Sequence, residues 1–268
     1  MQRVETRDGR HQACDMTARA ILVTITASHY CEKARWALER AGIDFEERGY
    51  LPGFHRVATG QGPKTTVPLL LAPTRLQESA DIVAWADTDL REEARLYPKE
   101  LRSEIDALEK SFDSVLGPAA RCWAYGHLLA DRKAFRRVML PPGASPIQRV
   151  AIPGLMVLLR RVLNVNARTV ARSEDTIRAT FADVDRRLRD GRPFLFGDRW
   201  TAADLAFAAL AGPVIQPTRY GGDRVGDLAS NFPISARNLR DELRPRPAGQ
   251  LVLQSYALFR DQPSTGAT

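Results

Sequence analysis

Residues 20–42 read AILVTITASHYCEKARWALERAG, and a change of rhythm in the middle of that stretch sets the architecture around it. Ala20 to Thr26 is a β-rich apolar run, the pattern of a buried strand. The run breaks at Ala27-Ser28. Cys31, Ala34, Leu38 and Ala41 then follow at spacings of three, four and three, which is one face of a helix, and Gly42 is a C-terminal stop. Working outward, residues 43–50 can form a second strand. Val67–Leu71 and Arg75–Gln77 read as a hairpin, and Glu78–Ala86 returns to helix. The order is βαβ followed by ββα, an α/β domain over residues 19–90.

Three pieces of this domain carry hydrogen-bonding groups at the ends of elements, where backbone N–H and C=O groups are open to a ligand. Ser28 stands at the first helical turn. Its hydroxyl either caps the helix or donates to a thiolate near the positive end of the dipole. Val67-Pro68 opens a strand, where proline is ordinary, and because only about 5–6% of X–Pro bonds are cis the sequence alone argues for trans. Glu78-Ser79 opens the last helix, offering a carboxylate for an ammonium and a hydroxyl with free amides for a carboxylate. Each has a plain reading as a cap or strand start. Together they suggest a site for a small, anionic, peptide-like thiol.

The pieces S-x-Y-C-x-K-x-R-W, T-V-P-L-L and Q-E-S-A-D-I, followed by F-G-D-R-W-T-A-A-D-L further on, resemble the cytosolic-type glutathione transferases over roughly residues 20–130 and 173–260. The resemblance implies a thioredoxin-like N-terminal domain and an all-helical C-terminal one, with glutathione as cosubstrate, no metal, and a homodimer. It makes Ser28 the hydroxyl that holds glutathione as its thiolate. Val67 would pair with the cysteinyl backbone, with Pro68 cis, and Glu78 and Ser79 would hold the γ-glutamyl end. His55 or Arg56 would reach the glycine carboxylate. A thiol of pKa ~8.5 is mostly protonated at neutral pH, so a donor that favours the anion raises the nucleophile's concentration. Conjugation to, or reduction of, a small electrophile then follows. A non-catalytic binding module on the same fold, or use of another small thiol, is the alternative.

Two positions depart from the family pattern. Relatives often carry proline after the serine, and here His29 reads as a surface histidine. Cys31 falls on the apolar stripe and reads as a small core residue, which speaks against dithiol exchange.

The second domain, residues 95–262, reads as helices. Leu101, Ile105, Leu108, Phe112 and Val115 define one face, and Ile177, Phe181, Val184 and Leu188 another, the latter between Ser173 as cap and Gly191 as stop. Thr201 to Asp204 has capping-box spacing, with Trp200 and Leu205 placed as a hydrophobic staple. The resemblance makes Arg121, Trp123 and Tyr125, with Tyr30, the candidates for contact with the electrophile.

The 268 residues suit two domains with a shared core. Three scattered cysteines, Cys14, Cys31 and Cys122, speak for a reducing, cytoplasmic setting and against a disulfide framework. Residues 1–18 are polar and mixed in charge, as in a disordered leader. No apolar run approaches the ~18–20 residues of a membrane span. Charge is uneven. Between Arg121 and Arg172 there are ten basic residues and one acid, Asp131, so the segment carries +9 of a net +7. Around 131–172 it reads as a basic insertion, with three candidate uses: solvated surface helix, a cationic wall over the substrate pocket, or peripheral contact with anionic membrane. Nucleic-acid binding ranks last, since no recognised module is present.

Overall fold

A computed structural model of the chain describes residues 19–60, 65–71, 74–222 and 225–260. The expected leader at residues 1–18 lies outside the described residues. The apolar run forms β1 (Ala20–Ile25), whose Leu22 and Val23 are buried. It pairs in parallel with β2 (Phe45–Tyr50), with Leu22 opposite Glu47, and antiparallel with β3 (Leu69–Leu71), giving the order β2-β1-β3. A parallel pair needs a crossover, and α1 (His29–Arg40) supplies it, ending at Gly42 with φ +68°. The four-residue α2 (Arg56–Thr59) precedes β3, and α3 (Ser79–Asp87) follows it. The second arm of the expected hairpin is shorter than the sequence suggests. It is a single bridge, Leu70 N–H to Leu76 O at 2.8 Å and Leu76 N–H to Leu70 O at 3.0 Å. Helix α3 begins three residues after Leu76, which leaves no length for a strand.

The helical half contains α4 (Arg102–Ser111), α5 (Gly117–Leu128), α6 (Arg132–Met139), α7 (Pro146–Val162), α8 (Ala167–Arg187) and α9 (Ala202–Ile215), then α10 (Leu228–Asn231), α11 (Arg237–Leu243) and α12 (Pro247–Phe259). All fourteen residues of α9 are buried, so it is the axis of this half. Its start is the expected capping box. Asp204 accepts from Thr201 N–H at 2.9 Å and Thr201 Oγ–H at 2.8 Å, and also from Leu195 N–H at 2.8 Å. Ile177, Phe181, Val184 and Leu188 are buried together, as their spacing predicts.

Two helical expectations are corrected. Val115 is exposed, because Phe112–Leu116 forms a π-turn between α4 and α5. The extra residue per turn rotates the face by one position, and Leu116 takes the buried place. Ser173 is not a cap. Helix α8 starts two turns earlier behind a capping box at Asn166 and Thr169, and Ser173 Oγ–H donates to Thr169 O at 2.8 Å inside the helix. The basic segment forms α6, α7 and the head of α8.

Buried polar contacts fasten the two halves along α1. Lys33 is fully buried and pairs with Glu109 at 2.8 Å and Asp113 at 2.7 Å. Glu32 pairs with Arg260 at 2.8 Å, and Trp36 Nε1–H donates to Phe259 O at 3.1 Å. Arg35 stays within its own half, on Glu32 at 2.7 Å and Glu47 at 3.0 Å.

Candidate active site

The N-terminal end of α1 lies at the junction of two adjoining clefts. One, of about 450 Å³, is mainly apolar and takes Ser28, His55, Arg56 and Tyr125 into its wall. The other, of about 660 Å³, is lined mostly by polar and charged residues, Glu78 and Ser79 among them, together with Pro68. Tyr30, Thr66, Val67 and Arg121 line both, so the two form one groove. The sequence-derived candidates therefore converge on this groove, with one exception.

That exception is Trp123. It is fully buried, stacked on Phe232 with ring centroids 5.9 Å apart and edge-on to His127 at 4.8 Å. It shares the core-facing side of α5 with Ala119, Ala120, Ala124 and Leu128. It packs the helix and does not reach either cleft, a correction to its reading as a substrate contact.

Ser28 is the N-cap of α1, with extended backbone (φ −72°, ψ 125°), and its Oγ accepts from Cys31 N–H at 3.4 Å. Accepting that bond leaves the O–H proton to donate elsewhere, since a hydroxyl has one donor and two lone pairs. The cap and a role toward a ligand are therefore compatible. The Val67–Pro68 bond is cis. Glu78 is the N-cap of α3, with no side-chain bond to the helix amides, and Ser79 is buried on the first turn.

His29 is buried, in contrast to its reading as a surface residue. Its Nε2 lies 3.0 Å from Gly117 O. A carbonyl only accepts, so Nε2 carries the hydrogen. Burial, reinforced by the positive charge of Arg121, drops its pKa to about 3. Tyr30 O–H donates to Asp113 O at 2.7 Å, and burial raises its pKa to about 12, so it stays a phenol. A Cβ at Gly117 would stand 2.1 Å from the Tyr30 hydroxyl. Glycine there is what lets α5 close against the start of α1. Cys31 is fully buried as expected, and burial pushes its thiol up to about 11, which makes it a poor nucleophile.

Other lining residues carry no signal in the sequence. Tyr220 reaches the apolar cleft from the far end of the chain and donates to Ala27 O at 2.9 Å. Leu155, Leu158 and Leu159 of α7 supply a wall of the same cleft. Arg160 instead donates to Leu129 O at 3.0 Å and Arg149 to Ala144 O at 3.2 Å. The basic insertion thus contributes leucines to the pocket, and among the described residues none of its own arginines lines either cleft. The arginines of the apolar cleft are Arg121, which precedes the insertion, and Arg56. Among the described residues no group of His, Cys, Asp and Glu is arranged to hold a metal ion.

Two family models match the chain. One, described as the glutathione S-transferase N-terminal domain, covers residues 22–93, and the other, described as the C-terminal domain, covers residues 167–241. The chain belongs to the glutathione S-transferase superfamily. Solved structures agree on the fold. Glutathione transferase GSTFuA3 from Phanerochaete chrysosporium superposes with TM-score 0.60 at 17% identity, covering 90% of this chain and 97% of that one. A possible glutathione S-transferase from Rhodopseudomonas palustris gives 0.56 at 14% identity, covering 93% and 100%. Glutathione transferase F7 from Populus trichocarpa gives 0.51 at 14%, covering 88% and 98%. Comparison with curated proteins finds no match. The stretch between the two family matches holds α4 to α7, including the helix that walls the apolar cleft.

Proposed function

We propose that the groove binds glutathione across both clefts and that the protein joins glutathione, through its sulfur, to an apolar electrophile, or uses it to reduce one. The observation that carries this reading is the continuity of the two clefts through Tyr30 and Val67. One ligand can then meet Glu78 and Ser79 with its γ-glutamyl end, Val67 with its cysteinyl backbone, and Ser28 with its sulfur. Glu78 would take the ammonium, and Ser79 at the start of α3 the carboxylate. His55, half-buried with Nδ1 accepting from Gly53 N–H at 3.1 Å, and Arg56 border the cleft where a glycine carboxylate would end.

In this reading the Ser28 O–H donates to the thiolate and the N-terminal turn of α1 adds its dipole. The thiolate attacks carbon, an S–C bond forms, and the electron pair moves to the leaving group or the conjugated acceptor. Arg121, on both clefts, faces the charge that develops there. The leucine wall supports an apolar substrate. The expected outcome in Ser28→Ala is a bound-glutathione thiol pKa higher by about 1–2 units, the loss of one charge-assisted hydrogen bond. Thiolate absorbance followed across pH reads it, and an unchanged pKa removes Ser28 from the role.

A further inference from the structure

Helix α7 has an outer face that is apolar where a surface helix is usually polar. Its inner side buries Ile152, Leu155 and Leu159. On the opposite side Ile147 is 75% exposed, Val150 80% and Val157 55%. At 3.6 residues per turn these three share a strip with Arg161. Leu158 and Val162 flank the strip, also exposed, and both line the apolar cleft as well. At its other end Ile147 shares a shallow recess with Val57 of α2, which is 87% exposed. The strip is therefore continuous with the cleft mouth, unlike the singly scattered apolar residues of an ordinary surface.

The charge beside the strip says what covers it. Helix α7 carries Arg149, Arg160 and Arg161, all exposed, and no acidic residue. Among the described residues none of the three is in a salt bridge. A symmetric contact with a second copy would set these arginines against each other across the two-fold axis. An anionic bilayer takes both features at once. Apolar side chains enter the interface, while arginine stems lie along them and the guanidinium groups meet lipid phosphates.

We propose that α7 docks this protein on an anionic lipid surface, with the apolar strip in the interface and the cleft mouth at the bilayer. This docking stands apart from the glutathione reading and is tested without any thiol. The full chain is sedimented with phosphatidylcholine vesicles with and without phosphatidylserine, and its oligomeric state is followed by sedimentation velocity. The wild type binds the phosphatidylserine vesicles, binds phosphatidylcholine alone at least about tenfold more weakly, and releases as salt rises. Arg161→Glu lowers the partition coefficient on the order of tenfold. Ile147→Asp combined with Val150→Asp lowers it at least about tenfold, with the denaturation midpoint unchanged because both side chains are exposed. Wild-type failure to bind phosphatidylserine vesicles overturns the proposal, as does a double variant that binds like wild type. A dimer that the double variant dissolves, with no vesicle binding in either protein, makes a second copy the occupant and overturns it too.

Discussion

Helices α1 and α7 are inverted relative to one another. Nine of the twelve residues of α1 are buried, and among them are Glu32, Lys33 and Arg35. Only three of the seventeen residues of α7 are buried, and its exposed side is rich in valine, leucine and isoleucine. Hydropathy alone would misplace both. The difference lies in partners. Each buried charge of α1 has an opposite charge within 3.0 Å, supplied by Glu47, Glu109, Asp113 or Arg260. The pairs to Glu109, Asp113 and Arg260 cross between the halves and hold the turn bearing Ser28 between them. Among the described residues nothing covers the outer face of α7, which is the face proposed to meet a lipid surface.

The comparison can be broken most forcefully at Arg35. Arg35→Met removes the Arg35 ion pair from Glu47 and one of the two cationic partners of Glu32, which keeps Arg260, and the expected loss is about 3–5 kcal/mol in chemical denaturation. A loss under about 1 kcal/mol would mean that the buried pairs of α1 are not what fastens it. Acid tests the same helix at its first residue. The folded pKa of His29, about 3, lies below its ordinary value of 6.5. Between these values the unfolded chain binds the extra proton, so stability is full above pH 6.5 and falls as the pH drops toward 3. The expected slope is about 1.4 kcal/mol per pH unit for one proton. His29→Gln should flatten it, as read from denaturation midpoints between pH 7 and 5.

A smaller effect is expected at Gly117, where an added methyl meets the Tyr30 hydroxyl. Gly117→Ala should destabilise by about 1–3 kcal/mol and disturb Tyr30, visible as a changed near-ultraviolet spectrum. Val150→Asp, on the exposed face of α7, should sharpen the contrast by changing stability within about 0.5 kcal/mol. A loss like that of Arg35→Met would show the α7 face to be packed after all.

Legibility in the sequence followed the range of the interactions. The strand-to-helix break at Ala27-Ser28, the Ile177–Leu188 face and the Thr201–Asp204 box depend on neighbours within a turn or two, and all three stand as read. The burial of His29 depends on Gly117, 88 residues away. No local pattern carries that contact, and a lone histidine beside a cap reads as exposed. Val115 failed because a π-turn leaves no mark in apolar spacing. Trp123 was readable and missed. Ala119, Ala120, Ala124 and Leu128 surround it at core spacing, and a bulky ring among small residues on one face points inward. The apolar residues of α7 are legible beside its arginines, but that mixture reads as an interfacial helix, and no local pattern says that Leu155, Leu158 and Leu159 wall a cleft.

Calorimetric titration with glutathione of the wild type, Ser28→Ala and Glu78→Ala tests the shared groove most directly. The prediction is saturable single-site binding that Glu78→Ala weakens at least about tenfold, the loss of a charge-assisted contact, while Ser28→Ala still binds. Absence of heat at millimolar glutathione, or a Glu78→Ala variant that binds as tightly as wild type, would contradict a glutathione site spanning the two clefts.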